Sequence, residues 1–169
     1  HFLVYVTDNG RTLNQCQEIQ SLADASHGRV RIMQNKNSGG AGGFTRGMLE
    51  ILNEQTRFCL THLLLMDDDA VIETDTLVRL YGFLSTLKDE WKDMTVGGAM
   101  LREDNPYMLY CAGEFWKNGK IYNPVGQMDL RNNANCVCEN LTGTGHEYEW
   151  YSGWWCCCYS LQTVREDNL

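Results

Sequence analysis

Asp67, Asp68 and Asp69 stand in a row directly after the apolar run Leu63-Leu64-Leu65-Met66. A buried strand that ends this way presents three carboxylates at one point. Left alone, such carboxylates repel one another and raise each other's pKa. A divalent cation held jointly with a phosphate is the counter-charge that suits them. The competing reading is an acidic loop opening a helix, because Asp is favoured before and within a first turn. Two further polar clusters follow apolar runs in the same way. Asp8-Asn9-Gly10 comes shortly after Phe2-Leu3-Val4-Tyr5-Val6, and Asn35-Lys36-Asn37-Ser38-Gly39-Gly40-Ala41-Gly42-Gly43 comes after Val30-Arg31-Ile32-Met33. Asp8 suits a uracil ring or a ribose hydroxyl as an acceptor, although a lone Asp after a strand is more often a turn former. The glycine-rich stretch lets backbone approach a ligand closely just before a helix N-terminus. Arg46, expected in the first turn of that helix, faces either a phosphate or solvent. The stretch lacks the Gly-Lys-Ser/Thr of a Walker loop and the full dinucleotide fingerprint.

The elements that must position these clusters are legible from periodicity. Strands are expected at residues 2–6, 30–33 and 62–66. Helical spacing covers Leu13 to Ala23, Phe44 to Phe58 and Thr74 to Trp91. Three strand–helix alternations predict an α/β fold with a parallel sheet, and ligands of such sheets gather at the carboxyl ends of the strands. All three polar clusters fall at that edge. Asp67 and Asp69, at i and i+2, share a face if the segment is extended. One then reaches a ribose while the other binds a metal bridging a diphosphate. Beyond residue 91 the pattern changes to short antiparallel pieces: Val96 to Leu101, Met108 to Cys111 and Lys120 to Tyr122. A loop is expected over Asp129 to Glu139, and a long aromatic strand from Glu147 to Tyr159.

The chain has 169 residues, 43% apolar and 21% charged, with a formal net charge of −8. One domain with a true core is the expectation, and the acidic balance argues against a dedicated nucleic-acid binder. Eight cysteines are present. Cys136-Val137-Cys138 is not a zinc spacing. The consecutive Cys156, Cys157 and Cys158 alternate faces in a strand and so cannot pair with one another. They read as small buried hydrophobes in a reducing cytosol. No run of about 20 apolar residues predicts a membrane-spanning helix. The chain reads as starting and stopping inside a domain.

Taken in order, the strand with Asp8-Asn9-Gly10, the stretch Asn37-Ser38-Gly39-Gly40-Ala41-Gly42-Gly43-Phe44-Thr45-Arg46-Gly47 and Leu64-Leu65-Met66-Asp67-Asp68-Asp69 resemble an inverting family-2 glycosyltransferase of the GT-A fold. With Tyr151-Ser152-Gly153-Trp154-Trp155, the likeness is greatest to the polymerising galactofuranosyltransferases, and it runs from about Phe2 to Asn168. The resemblance implies a Rossmann-like, mostly parallel sheet with flanking helices and a mixed antiparallel C-terminal part. It implies one partial domain, with a nucleotide-binding half to about residue 91 and an acceptor-side half from about residue 92.

The same resemblance implies the site. Asp8, Asn37, Gly39, Gly40 and Arg46 would hold the nucleotide of a UDP-sugar. Asp67 and Asp69 would hold Mn²⁺ or Mg²⁺ and the diphosphate, with Asp68 near the donor sugar. Trp116, Tyr151, Trp154 and Trp155 would line the donor and the glycan or lipid-linked acceptor, aromatic faces being suited to the C–H faces of sugars. The family's base, an Asp in an acidic pair, is expected beyond Leu169. Glu166-Asp167 lies too close to Trp155 to serve, and His146 precedes the Trp pair and is not the family's metal ligand. The chain by itself is therefore expected to be a weak binder without catalysis. The implied location is the cytoplasm, at the inner face of the membrane. A nucleotidyltransferase would carry its glycine-rich basic loop after the first strand, and a non-catalytic nucleotide-sugar or glycan-binding module would lack the base; both remain alternatives.

Overall fold

The computed structural model describes residues 2–123, 126–135 and 150–166. In chain order the elements are β1 (Val4–Asp8), α1 (Gln17–Ala25), β2 (Val30–Gln34), α2 (Gly39–Phe58), β3 (His62–Met66), α3 (Thr76–Thr86), β4 (Val96–Gly97), β5 (Met100–Leu101), β6 (Met108–Cys111), β7 (Glu114–Lys117), β8 (Lys120–Tyr122), β9 (Met128–Asp129), β10 (Trp150–Tyr151), β11 (Cys156–Ser160) and α4 (Leu161–Glu166). Short 3₁₀ turns at Leu13–Gln15 and Asp89–Trp91 precede α1 and follow α3. The chain divides into two compact units, His1–Leu63 with Ser160–Leu169, and Leu64–Tyr159.

In the first unit β1 and β2 pair in parallel, from Val4 opposite Val30 to Asp8 opposite Gln34. The connection through α1 makes this possible, since parallel neighbours need a long crossover. Helix α2 packs on β1. Its far end is tied down by a polar latch. Arg31 of β2 lies 5.5 Å from the Tyr5 ring centre and 4.7 Å from that of Phe58, and it pairs with Glu54, to which the Tyr5 hydroxyl also donates. Burial pushes the Tyr5 pKa up, and the nearby Arg31 charge pulls against it. The helix stops at Cys59, which is left-handed at φ 53°, with the Leu60 N–H bonded back to the Gln55 carbonyl at 3.0 Å. Met48, Leu63, Leu161 and Val164 are the buried apolar side chains of this unit.

The second unit contains short strands. Sheets run in the orders β3-β11-β4, β5-β6-β9 and β10-β7-β8. The pairings of β11 with β4, β5 with β6, β6 with β9, β7 with β8 and β7 with β10 are all antiparallel. Strands β3 and β11 are antiparallel too, because Leu161 N–H bonds Thr61 O and Asp67 N–H bonds Trp155 O. The fold is therefore mixed α/β with several small, mostly antiparallel sheets, and β1–β2 is the parallel pair among the described residues. The sequence predicted a mostly parallel sheet. The difference lies at β3, which was expected as a third parallel strand and instead pairs with β11, a strand from the far end of the chain that returns antiparallel. Beyond residue 91 the short antiparallel pieces are as expected. Leu65, Leu109, Cys111, Cys156, Cys157, Cys158 and Tyr159 form the buried set.

The cysteine expectation holds for the described core. Cys111 and the Cys156–Cys158 triplet are free and buried, and desolvation pushes the Cys158 thiol up to about 12. Cys136, Cys138 and His146 lie outside the described residues. No helix among the described residues is long and apolar enough to cross a membrane.

One surface pair offers a direct check on local geometry. Asp129, at the end of β9, accepts from Arg131 through Nε (3.0 Å) and Nη2 (2.7 Å) and from the Arg131 backbone N–H (3.0 Å). These donors hold its carboxyl well below the usual range, at about 2. A lowered folded pKa stabilises above the unfolded value of 3.8, and that contribution is lost as pH falls through about 2. Both side chains are solvated, so the contribution to stability is small. NMR titration should place Asp129 near 2, and Arg131→Ala should return it to the ordinary carboxylate range.

Candidate functional site

The residues singled out from sequence fall into both units, and each set is described separately. In the first unit, Asp8 closes β1 and is 5% exposed. Its Oδ2 accepts from Leu13 N–H at 2.9 Å, which fixes the turn into α1. Beside it Asn9 and Asn35 interlock. Asn35 Nδ2 donates to Asn9 Oδ1 at 2.9 Å, and Asn35 N–H donates to Asp8 O at 3.0 Å. Arg11 Nε donates to Asn35 O at 2.9 Å. Asn9 Nδ2 in turn donates to Gly39 O at 3.3 Å. Asn37 is exposed, and its Oδ1 accepts from Gly39 N–H at 3.1 Å.

The glycine-rich stretch is therefore not a loop. Helix α2 begins at Gly39, five residues before the expected start at Phe44. Each helical Gly costs about 1 kcal/mol relative to Ala. Here a tertiary hydrogen bond to Gly39 O from Asn9 and a local one from Gly39 N–H to Asn37 outweigh that propensity. Gly39 has φ +74°, open to glycine and strained for other residues. The early start moves Arg46 about two turns into the helix. There it pairs with Glu50, Nη2 to Oε2 at 3.4 Å. A phosphate would have to draw Arg46 away from that partner.

In the second unit the Asp triplet follows β3 directly, as expected, but it is not extended. Asp67 N–H donates to Trp155 O, and Asp67 O accepts from Ala70 N–H, both at 3.3 Å, so residues 67–70 form a turn. Asp67 is half-buried, while Asp68 and Asp69 are exposed. Burial raises the Asp67 pKa most, followed by the charge of Asp69 and then that of Asp68. Asp69 thus acts on Asp67 more strongly than its immediate neighbour does. The shared face expected from an extended segment is therefore absent, since residues 67–70 turn.

Among the described residues no three His, Cys, Asp or Glu side chains converge into a ready metal cage. That donor set still fits Mg²⁺ or Mn²⁺, which are commonly held by one or two carboxylates plus phosphate oxygens. A half-buried carboxylate with two anionic neighbours is a group whose charge a cation would relieve.

The aromatic residues occupy the same unit. Ser152–Trp155 is a break between β10 and β11, so the expected long strand is two strands with a turn. A Cβ on Gly153 would lie 2.6 Å from Trp155 Cδ1, which shows the Trp155 indole folded across the glycine. Trp154 and Trp155 are both half-buried. The Trp154 indole hydrogen-bonds Tyr159, whose hydroxyl burial pushes up to about 12. Trp116 is 58% exposed and lies opposite Ile121, and Tyr151 is opposite Glu114. Alternation puts Glu114, Trp116, Ile121 and Tyr151 on one face of the β10-β7-β8 sheet. Phe115 stacks on Tyr122 on the other face, 5.4 Å between ring centres. Desolvation, then a hydrogen bond to Glu114, raise the Tyr151 pKa.

Sequence reasoning gave no individual role to Asn9, Asn35 or Glu114, each of which hydrogen-bonds or pairs beside a residue it did single out. A signal existed for the first two, since in a parallel pair residues following two strands end side by side. Glu114 was visible one position before Phe115, but without the β7–β10 register nothing linked it to Tyr151.

The chain is 28% identical over 174 aligned residues to galactofuranosyltransferase GlfT2 of Mycobacterium tuberculosis (strain ATCC 25618 / H37Rv), covering 96% of this chain and 26% of that protein. Its likeness is to a glycosyltransferase. A second galactofuranosyltransferase GlfT2, from Mycolicibacterium smegmatis (strain ATCC 700084 / mc(2)155), is 32% identical over 114 residues, covering 66% of this chain and 16% of that protein. The chain thus spans about a quarter of the first relative's length and about a sixth of the second's. No protein-family model matches the chain, and no solved structure matches it. The glycosyltransferase likeness runs through both units, since 96% of the chain is aligned.

Proposed function

We propose that the protein is an inverting, metal-dependent glycosyltransferase of the GT-A fold, using a UDP-sugar donor and a glycan acceptor. The observation that carries this reading is the turn at residues 67–70. It sets the three carboxylates directly after β3, with Asp67 half-buried, and its backbone is bonded to Trp155. The acidic turn is thus tied by backbone to the segment that carries Trp155. The galactofuranosyltransferase relatives favour galactofuranose as the sugar.

In this reading Asp8 and Asn37 hold the nucleoside, and Gly39 and Gly40 let backbone approach the diphosphate. Asp67 and Asp69 hold the cation, and Asp68 faces the donor sugar. A divalent cation bound there neutralises charge on the departing nucleoside diphosphate. Trp116, Tyr151, Trp154 and Trp155 orient the donor and acceptor rings, so that the acceptor hydroxyl meets the anomeric carbon opposite the leaving group. Positioning and charge stabilisation then carry most of the rate enhancement. No catalytic base is assigned among the described residues.

The test is release of UDP and transfer of sugar by the full-length protein from a panel of UDP-sugars, with a glycan acceptor. Turnover should require Mn²⁺ or Mg²⁺ and stop with EDTA. Metal-independent turnover, or transfer of a nucleotidyl group instead of a sugar, would overturn the assignment.

A further inference from the structure

We propose that Asn9 is a positioning residue for nucleotide-sugar binding, acting by holding the glycine-rich start of α2 at the end of β1. The inference rests on the glycosyltransferase reading and adds a residue that reading did not contain. Asn9 takes no part in the Asp8 Oδ2–Leu13 hydrogen bond, yet its side chain joins three segments. Its Oδ1 accepts from Asn35 at the end of β2, and its Nδ2 donates to the carbonyl of Gly39 in the first turn of α2. It is also the side chain that the helix is built to accommodate. A Cβ at Gly43 would lie 2.9 Å from Asn9 Nδ2, so the helix surface is bare where the amide sits. Gly43 is itself buried. Gly39 and Gly40, in contrast, have no heavy atom within 4 Å of a notional Cβ. The amide therefore clamps the inner side of the turn and leaves its outer side open to a ligand.

The chemistry matches the geometry. An Asn amide is donor and acceptor at once, and this one uses both functions on different segments. Asp at this position would keep the acceptor for Asn35 and lose the donor to Gly39 O, placing a carboxylate against a carbonyl. Ala would lose both. Neither change touches the ligand directly. Each should loosen the turn that carries Asn37, Gly39 and Gly40, raising the donor KM with little change in kcat.

The experiment compares Asn9→Ala, Asn9→Asp and Gly43→Ala with wild type, all in the full-length protein. UDP binding with Mn²⁺ is measured first, then donor KM, kcat and Tm. The expected result is a donor KM roughly three- to tenfold higher in all three variants, the scale of one or two lost hydrogen bonds. kcat should stay within about twofold, because the interaction holds in ground and transition states alike. Gly43→Ala keeps the Asn9 side chain and displaces it by contact, so it tests position separately from chemistry. Unchanged donor KM in Asn9→Ala and Gly43→Ala, with wild-type protein binding UDP, would overturn the positioning role and leave the glycosyltransferase reading intact. A parallel fall of kcat and Tm at unchanged KM would overturn it too, by showing a purely structural role. Failure of wild-type protein to bind UDP would overturn both.

Discussion

Asp67→Ala and Asp69→Ala should each lower kcat for sugar transfer by about 10²–10³-fold, the scale of losing one stabiliser of transition-state charge. The expectation follows from the proposed roles of Asp67 and Asp69 as cation ligands and of Asp68 toward the donor sugar, and the charge of Asp69 contributes more to the raised Asp67 pKa than that of Asp68 does. Asp68→Ala should therefore have a smaller effect on metal dependence. The Mn²⁺ concentration for half-maximal rate should rise in Asp67→Ala and Asp69→Ala and stay near wild type in Asp68→Ala. Equal effects at all three positions would refute the division of roles.

Stability gives a control with the opposite sign. Burial and two like charges raise the Asp67 pKa above its unfolded value of 3.8. A raised folded pKa contributes stability that is fully present below the unfolded value and is lost as pH rises through the folded pKa. At neutral pH the ionised Asp67 thus works against the fold. Asp67→Asn should keep or raise the Tm in metal-free buffer at pH 7 while losing transfer. A variant that is inactive yet no less stable has lost chemistry and not structure.

Met48→Ala should destabilise the protein by about 2–5 kcal/mol, a large share of the roughly 5–15 kcal/mol that holds a typical domain folded. Met48 lies in the middle of α2 and is 2% exposed. Truncation removes its buried methylenes and leaves a cavity that the packed helix cannot collapse into. For a chain of this size the fall in Tm should be roughly 4–20 °C. Met48→Leu conserves volume and should cost less than about 1.5 kcal/mol. Thermal unfolding of the two variants side by side checks both the burial and the packing of α2. Leu49, the next residue along, is 52% exposed and makes a useful contrast. Leu49→Ala should fall within about 0.5 kcal/mol of wild type, as surface substitutions usually do.

The elements that depend on local sequence were legible before any coordinates. β3 falls at His62–Met66 as expected, because five strand-favouring residues end abruptly in three carboxylates. Strands β6 and β8 are also where alternation put them. The start of α2 was misread because glycine propensity argues for a loop. Asn9 and Asn37, distant from one another in sequence, supply the bonds that draw Gly39 into the helix. The expected helix to Trp91 ends at Thr86 instead, and a separate 3₁₀ turn follows at Asp89–Trp91. Strands β7 and β9 escaped notice, being short and recognisable only through partners far along the chain.

By itself the sequence determined the order of the three polar clusters, their attachment to strand ends and the likeness to glycosyltransferases. Those features lie in contiguous residues, where local propensity and residue type suffice. Tertiary structure alone decided which side chains work together. A turn at Asp67–Ala70, tied to the Trp155 carbonyl, takes the triplet out of the extended conformation. The parallel register of β1 and β2 brings Asn9 to Asn35 and Gly39, and the pairing of β7 with β10 sets Tyr151 opposite Glu114. Each of these meetings joins residues separated along the chain through a hydrogen bond or a strand register. Such pairings are set by packing as a whole, and no short window of sequence carries them.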